Sequence, residues 1–383
     1  MQELRKLLEQ AVDYQVAGKH ESAEVLLRDA IKWIDQNHPT EGEIKARALF
    51  VGRIKTFMEH HRYEDALPFL EEMMILCPND RDGFAEYLKC LWSLGQHKNF
   101  WTIYENRRRF FDNLVIYERI FGTANMWDGE SSLDGKTILV YGEQGAGDQI
   151  QFVRYLPYLK EKYNCRIILN CSQSLEPVFR QLNFVDHLLP KEETFLSYKP
   201  LEFDVHYPLM SLPRCLGLWE PVPELFLKAP GKAELFDPGK KKVGFVFTAN
   251  PRSFGSSWRS IEPQAIRHIL HPDVQYYNLH HEQRCEINGV VDLCDSINNF
   301  GDLANYVELM DQIITIDSAL LHLAGCMGKE TLALIPSRAD WKWDDEKTTP
   351  WYRSVQLAHQ KASWNWSRLL HEALNFVKPL STF

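Results

Sequence analysis

The sequence predicts an α/β protein with two Rossmann-like lobes, preceded by an all-helical region. Three observations predict it. From residue 112 onward, apolar runs of strand length alternate with stretches of helical spacing, which implies parallel strands with helices on the sheet faces. The alternation is interrupted at "KAPGKAELFDPGKKK" (residues 228–242), where Pro230, Gly231, Pro238 and Gly239 stand beside a lysine run, the composition of an interdomain linker. Before residue 112 the spacing is helical throughout, with proline and glycine confined to joints such as "HPTEGE" and "CPND". The expected divisions are therefore residues 1–111, 112–238 and 239–383.

The helical region carries a degenerate repeat. One copy has Ala11, Tyr14, Ala23, Leu27 and Ala30; a second has Phe57, Ala66, Leu70, Met73 and Pro78; a third has Leu91, Phe100 and Tyr104. Ala66 to Phe100 spans 34 positions and Ala23 to Ala66 spans 43, the extra length falling around "NHPTEGEIK". Small residues where paired helices touch, with a proline after the second helix, resemble tetratricopeptide repeats. The alternative is an irregular helical bundle. Repeat arrays of this kind form concave docking surfaces, so a protein partner for this region is expected.

After the turn-rich "MWDGESSLDGK", "KTILVYG" reads as a buried strand and "DQIQFVRYLPYLKEKY" as a helix. "CRIILNC" is a strand, "SQSLEPVFRQLN" a helix, and "VDHLLP" and "FDVHYPLM" are short strands. Beyond the linker, "KVGFVFTA" is a strand and "IEPQAIRHIL" a helix, and "VQYYNLH", "GVVDLC", "QIITID" and "TLALIP" are strands. "WSRLLHEALNFV" closes the chain as an amphipathic helix, with Leu369, Leu370, Ala373, Leu374 and Val377 on one face.

Composition narrows the function classes. The chain has 383 residues, 45% hydrophobic and 12% aromatic, enough apolar area for ordered domains. Its net charge of -9 gives no general attraction to phosphate backbones. The densest basic runs, Arg107–Arg109 and Lys240–Lys242, are short. None of the eight cysteines forms a C-x-x-C pair, as expected of reduced thiols in a cytoplasmic protein. The N-terminus lacks a signal-peptide core, and no apolar run is long enough to span a membrane. With no HExxH, DxD or CxxC motif, no metal and no resident cofactor are expected.

Four stretches could carry chemistry. In "TILVYGEQGAGDQIQF" a strand runs through a glycine turn into a helix. Gly145 and Gly147 are expected to take positive φ and admit a ligand, with Asp148 at or near the N-cap and Glu143, Gln144 and Gln151 around it. The stretch is neither a Walker loop nor a complete G-x-G-x-x-G fingerprint. In "IITIDSALLHLAG", Asp317, Ser318 and Ala319 open a helix after a strand, and His322 follows one turn later, a place to bind a diphosphate. In "VFTANPRSFGSSWRSIEP", Asn250 can hydrogen-bond a ligand and Arg259 can clamp a phosphate. In "PSRADWKWDDEKTTPWYRSV", Asp340 and Trp341 are candidates for sugar contact, though tryptophans also simply pack. His280, beside His281, is a further candidate contact; adjacent residues at a strand end point apart, so a shared metal is not expected.

Taken in order, "WDG", "GKTILVYGEQGAGDQIQFVRYLP", "FDVHYPLMSLP", "VGFVFTANP", "IDSALLHLAG" and "DWKW…PWY" resemble bacterial tetratricopeptide-repeat proteins with a glycosyltransferase-like half. That half is similar to the lipopolysaccharide heptosyltransferases and, more distantly, to the O-linked N-acetylglucosamine transferases. The resemblance covers residues 112–378 and implies a GT-B fold, with the acceptor on the first lobe and the nucleotide-sugar on the second. It implies a general base at Asp148. It implies a donor-diphosphate site at Asp317, Ser318 and His322, where Ala319 stands in place of the family's glycine, with Asn250 and Arg259 nearby. The nucleotide-sugar is then a co-substrate rather than a cofactor, transfer is metal-independent, and the acceptor is a glycan, a protein or a nucleic acid. A non-catalytic scaffold on the same fold is the alternative.

Overall fold

The computed structural model describes residues 20–37, 50–191, 202–223, 225–235, 239–251, 253, 255–343, 347–361 and 365–377, with a few positions before residue 20. The joint "HPTEGE", the "NHPTEGEIK" insertion beyond Asn37, and Pro238 of the linker lie outside the described residues. The chain divides into two compact units, Met1–Asp112 with Asp340–Lys342, and Asn113–Ala339 with Trp343–Phe383.

In the first unit, the helix Tyr63–Leu76 buries Ala66, Leu70 and Met73, and the helix Arg81–Ser93 packs against it. Asp80 caps the latter, its side chain accepting from the Gly83 N–H at 2.8 Å, which satisfies one of the orphan donors of a helix start. The helix His97–Tyr104 follows, burying Phe100, Trp101 and Tyr104.

The second unit holds two sheets. The first comprises β1 (Thr137–Tyr141), β2 (Arg166–Ser172), β3 (His187–Lys191) and β4 (Val205–Pro208), all parallel, in the order β3-β2-β1-β4. The second comprises β5 (Lys241–Val246), β6 (Val274–Asn278), β7 (Val290–Asp292), β8 (Gln312–Ile316), β9 (Thr331–Ile335), β10 (Thr348–Thr349) and β11 (Tyr352–His359), in the order β10-β11-β9-β8-β5-β6-β7. Among the described strands of this sheet only β10, at the edge, pairs antiparallel. With β5 counted first, its six parallel strands run 3-2-1-4-5-6, the Rossmann order, and the first sheet repeats the 3-2-1-4 portion. The predicted fold class, two Rossmann-like lobes in an α/β layer structure, is what the strand orders show.

β8 and β9 are buried at every position, as strands covered on both faces must be. The closing helix Ser367–Val377 buries Leu369, Leu370, Ala373 and Val377 against the core of the second lobe. Two described residues of the region expected as linker are held by hydrogen bonds. The Gln181 side chain bridges the Lys228 backbone at 2.8 and 3.0 Å, and Gly231 N–H donates to Asn305 at 2.8 Å.

Several expectations are corrected. "DQIQFVRYLPYLKEKY" is not one helix: Ala146–Phe152 and Leu156–Lys162 are separated by a 3₁₀ turn before Pro157. "IEPQAIRHIL" is a 3₁₀ segment, Pro263–His268, and "SQSLEPVFRQLN" holds only a one-turn helix, Glu176–Phe179. The tryptophan-rich stretch runs into β11, an eight-residue strand absent from the expected ones.

Candidate functional site

Parallel sheets bind ligands beyond the carboxyl ends of their strands, at the point where strand order reverses. In the first lobe this point lies between β1 and β4. Glu143 follows β1 and is almost fully buried; its Oε1 accepts the Met210 N–H at 3.1 Å, joining the β1 loop to the β4 loop. In the second lobe the reversal lies between β5 and β8. The loop after β5 carries Asn250 and Arg259, and the residues after β8 are Asp317 and Ser318.

The glycine loop differs in detail from its expectation. Positive φ falls on Gln144, at 57°, and not on either glycine. Gly145 is the N-cap at φ -81°, and Asp148 is the third residue of the helix rather than its cap. Asp148 Oδ2 accepts the Gly145 N–H at 3.1 Å, so the carboxylate is fixed in direction at the helix start. Gly147 has another reason to be glycine. A Cβ there would stand 2.7 Å from His322 Cδ2 and 3.2 Å from the Ala319 backbone, closer than packed atoms allow. The helix Ala146–Phe152 of the first lobe thus lies directly on the helix Ala319–Cys326 of the second.

On the second-lobe side, Ser318 is the N-cap residue but does not cap with its side chain; its hydroxyl pairs with Thr315 Oγ1 at 3.0 Å. Arg259 lies 3.8 Å from Asp317 Oδ2 and donates to Ser253 Oγ at 2.7 Å, and its buried Nε–H has no partner among the described residues. Asn250 is exposed, and its carbonyl closes the turn by accepting the Ser253 N–H at 2.9 Å. His322 is buried, and its Nδ1 lies 2.8 Å from the Tyr352 hydroxyl.

The structure therefore brings Gly147 to Ala319 and His322, with Asp148 the next residue on the same helix, and brings Arg259 to Asp317. Gln151, on the same helix face as Gly147 and one turn on, is fully buried, and neither amide atom has a partner among the described residues. Three other candidates, Trp341, Asp340 and His280, make contacts of their own. Trp341, with Asp340, belongs to the helical unit. Its ring lies 4.4 Å from Phe100, 4.8 Å from Trp92, 5.8 Å from Trp101 and 5.9 Å from Tyr104, so it takes the packing role. Asp340 pairs with Lys342 at 3.0 Å. His280 holds a loop together: its Nδ1 accepts the N–H groups of Glu282 and Gln283 at 3.0 and 2.9 Å, and the ring also bonds the Thr248 backbone. Burial first, and His281 second, push its pKa below the usual imidazole value.

The sequence reading missed three contributors. Arg154 is a buried cation whose Nε donates to the Gln151 carbonyl at 2.7 Å and whose Nη1 donates to those of Trp351 at 2.9 Å and Val222 at 3.3 Å. Gln149 fixes the glycine-loop helix to the end of β2 through two 2.9 Å bonds with Ser172. Tyr352 meets His322. An arginine amid "FVRYLP" is the one sequence signal that could have prompted the first.

No family model matches the chain, and no curated protein matches it. Among solved structures it is similar to a family 9 glycosyl transferase from Veillonella parvula, at 13% identity over 61% of this chain and 88% of that one, TM-score 0.43. It is also similar to ADP-heptose lps heptosyltransferase II from E. coli, at 13% identity over 63% and 98%, TM-score 0.41. An O-GlcNAc transferase mutant from Thermobaculum terrenum is similar at 12% identity over 99% and 90%, TM-score 0.30. The strand orders, rather than these remote likenesses, carry the fold.

Proposed function

We propose that this chain is a glycosyltransferase that moves a sugar from a nucleotide-sugar to an acceptor hydroxyl, in the architecture called GT-B. The observation that carries the reading is the approach of Gly147 to Ala319 and His322. It sets the loop that carries Asp148, the residue after Gly147, against the helix of the other lobe that opens at Ala319. A proton acceptor and an anion-binding helix start in one place are what displacement of a diphosphate by an oxygen nucleophile needs.

Asp148 takes the proton from the acceptor hydroxyl while that oxygen bonds to the anomeric carbon. The bond from the anomeric carbon to the diphosphate oxygen breaks, and the nucleoside diphosphate leaves with the electron pair. Arg259 Nη and Nε groups, the first-turn N–H groups after Ser318 and the His322 ring stabilise the departing charge. Cationic and dipolar groups of the chain perform this task without a metal. The motif order in the sequence supports the same assignment.

The helical unit, with its repeat-like spacing, recruits or positions the acceptor in this reading. A panel of uridine, guanosine, adenosine and cytidine diphosphate sugars tests the donor side by thermal shift, because a ligand that binds only the native state raises its melting point. Binding without transfer to any acceptor would instead favour the scaffold reading.

A further inference from the structure

Tyr352 opens β11, is almost fully buried, and its ring lies where a Cβ on Gly325 would stand 2.5 Å from Cγ and Cδ1. Its hydroxyl lies 2.8 Å from His322 Nδ1, and it also hydrogen-bonds the Cys326 side chain. A phenol has one proton to donate. An imidazole nitrogen is a far better acceptor than a thiol sulfur, so the proton goes to Nδ1. The Arg154 guanidinium sits 4.8 Å from the centre of the Tyr352 ring and strengthens the O–H as a donor. Burial pushes the Tyr352 pKa well up, so the hydroxyl keeps its proton.

We propose that Tyr352 is the positioning residue for His322: by donating to Nδ1 it holds the imidazole as the Nε2–H tautomer, with the Cδ2–Nε2 edge turned to Gly147 and the start of the Asp148 helix. His322 then offers a neutral N–H donor. Charged and titratable groups facing the pair are Asp148 from the first-lobe helix and Arg154, both acting on Tyr352, Cys326 one turn along the His322 helix, and Asp317 just before that helix; the Trp343 ring packs at 5.4 Å from the His322 ring. What His322 binds rests on the transferase reading; how it is held does not.

The test is ring-nitrogen NMR of the free, full-length protein near neutral pH, with the His322 signals assigned by their loss in His322→Asn. The expected result is a protonated Nε2 and an acceptor Nδ1 in the wild type, moving toward averaged tautomers in Tyr352→Phe. A protonated Nδ1 in the wild type, or unchanged ring signals in Tyr352→Phe, overturns the proposal. If Tyr352→Phe does not fold, 3-fluorotyrosine at position 352 keeps the ring and the bond while acidifying the hydroxyl. It is expected to shift the Nδ1 signal, and no shift overturns the proposal equally. Affinity for the nucleoside diphosphate that the wild type binds best is expected to fall about fivefold to tenfold in Tyr352→Phe, the usual worth of one hydrogen bond. Failure of the wild type to bind any of the four diphosphates would sink the transferase reading and leave the NMR result to decide on Tyr352.

Discussion

Asp148 has two duties at once, as a ligand of the Gly145 N–H and as the proposed proton acceptor, and one substitution separates them. Asparagine keeps the oxygen that meets Gly145 and loses the basicity. Asp148→Asn is expected to melt within about 0.5 kcal/mol of the wild type and to bind donor unchanged, while transfer falls by about 10² to 10⁴. Unaltered transfer would remove the assignment. His280 makes a prediction about pH. Its native pKa lies below the reference 6.5, so its contribution to stability is complete above that reference. It is lost as the pH falls through 6.5 toward the native value. Melting temperature should therefore drop on acidification from about pH 7 to pH 5, and drop less steeply in His280→Gln. Equal slopes in the two proteins would show that other groups govern acid sensitivity.

At the scale of elements, the decisive contact joins two helices from different lobes, and Gly147 is its thinnest point. Gly147→Ala places a methyl on the Ala319 backbone and the His322 ring. It should cost about 1–3 kcal/mol in denaturant unfolding, the range for overpacked sites, and weaken donor binding as His322 moves. An unperturbed unfolding midpoint would mean that the helices separate at little cost. This contact also marks what was legible in advance. The strand runs around β1, β5, β8 and β9 are nearly continuous apolar stretches, and their order follows from βαβ alternation. The approach of position 147 to position 322 is a long-range packing fact with no local signal. Pro157 and Pro177 lack the N–H that would continue the preceding turn, so the expected helices restart there as shorter pieces; Pro263 merely opens its 3₁₀ segment. β11 was missed because its exposed Arg353 and Gln356 interrupt the apolar run and tryptophans precede it. In the glycine loop the expected positive φ falls on Gln144 instead of Gly145 or Gly147, while the room expected of the glycines is used at Gly147 by the facing helix.

For the whole molecule, the chain returns to its helical unit at Asp340–Lys342. Trp341 fills an aromatic cluster with Trp92, Phe100, Trp101 and Tyr104 there. Trp341→Ala removes a buried indole and should destabilise that unit by about 3–5 kcal/mol, read as an earlier melting transition by circular dichroism. A melt that overlays the wild type would show that the cluster contributes nothing to stability. The central claim concerns the donor. Nucleotide-sugars of uridine, guanosine, adenosine and cytidine are titrated into the wild type and into Arg259→Met, with melting temperature as the readout. One base class is expected to raise the wild-type melting point, with most of the rise vanishing in Arg259→Met. No rise with any of the four, or an equal rise in both proteins, would contradict it.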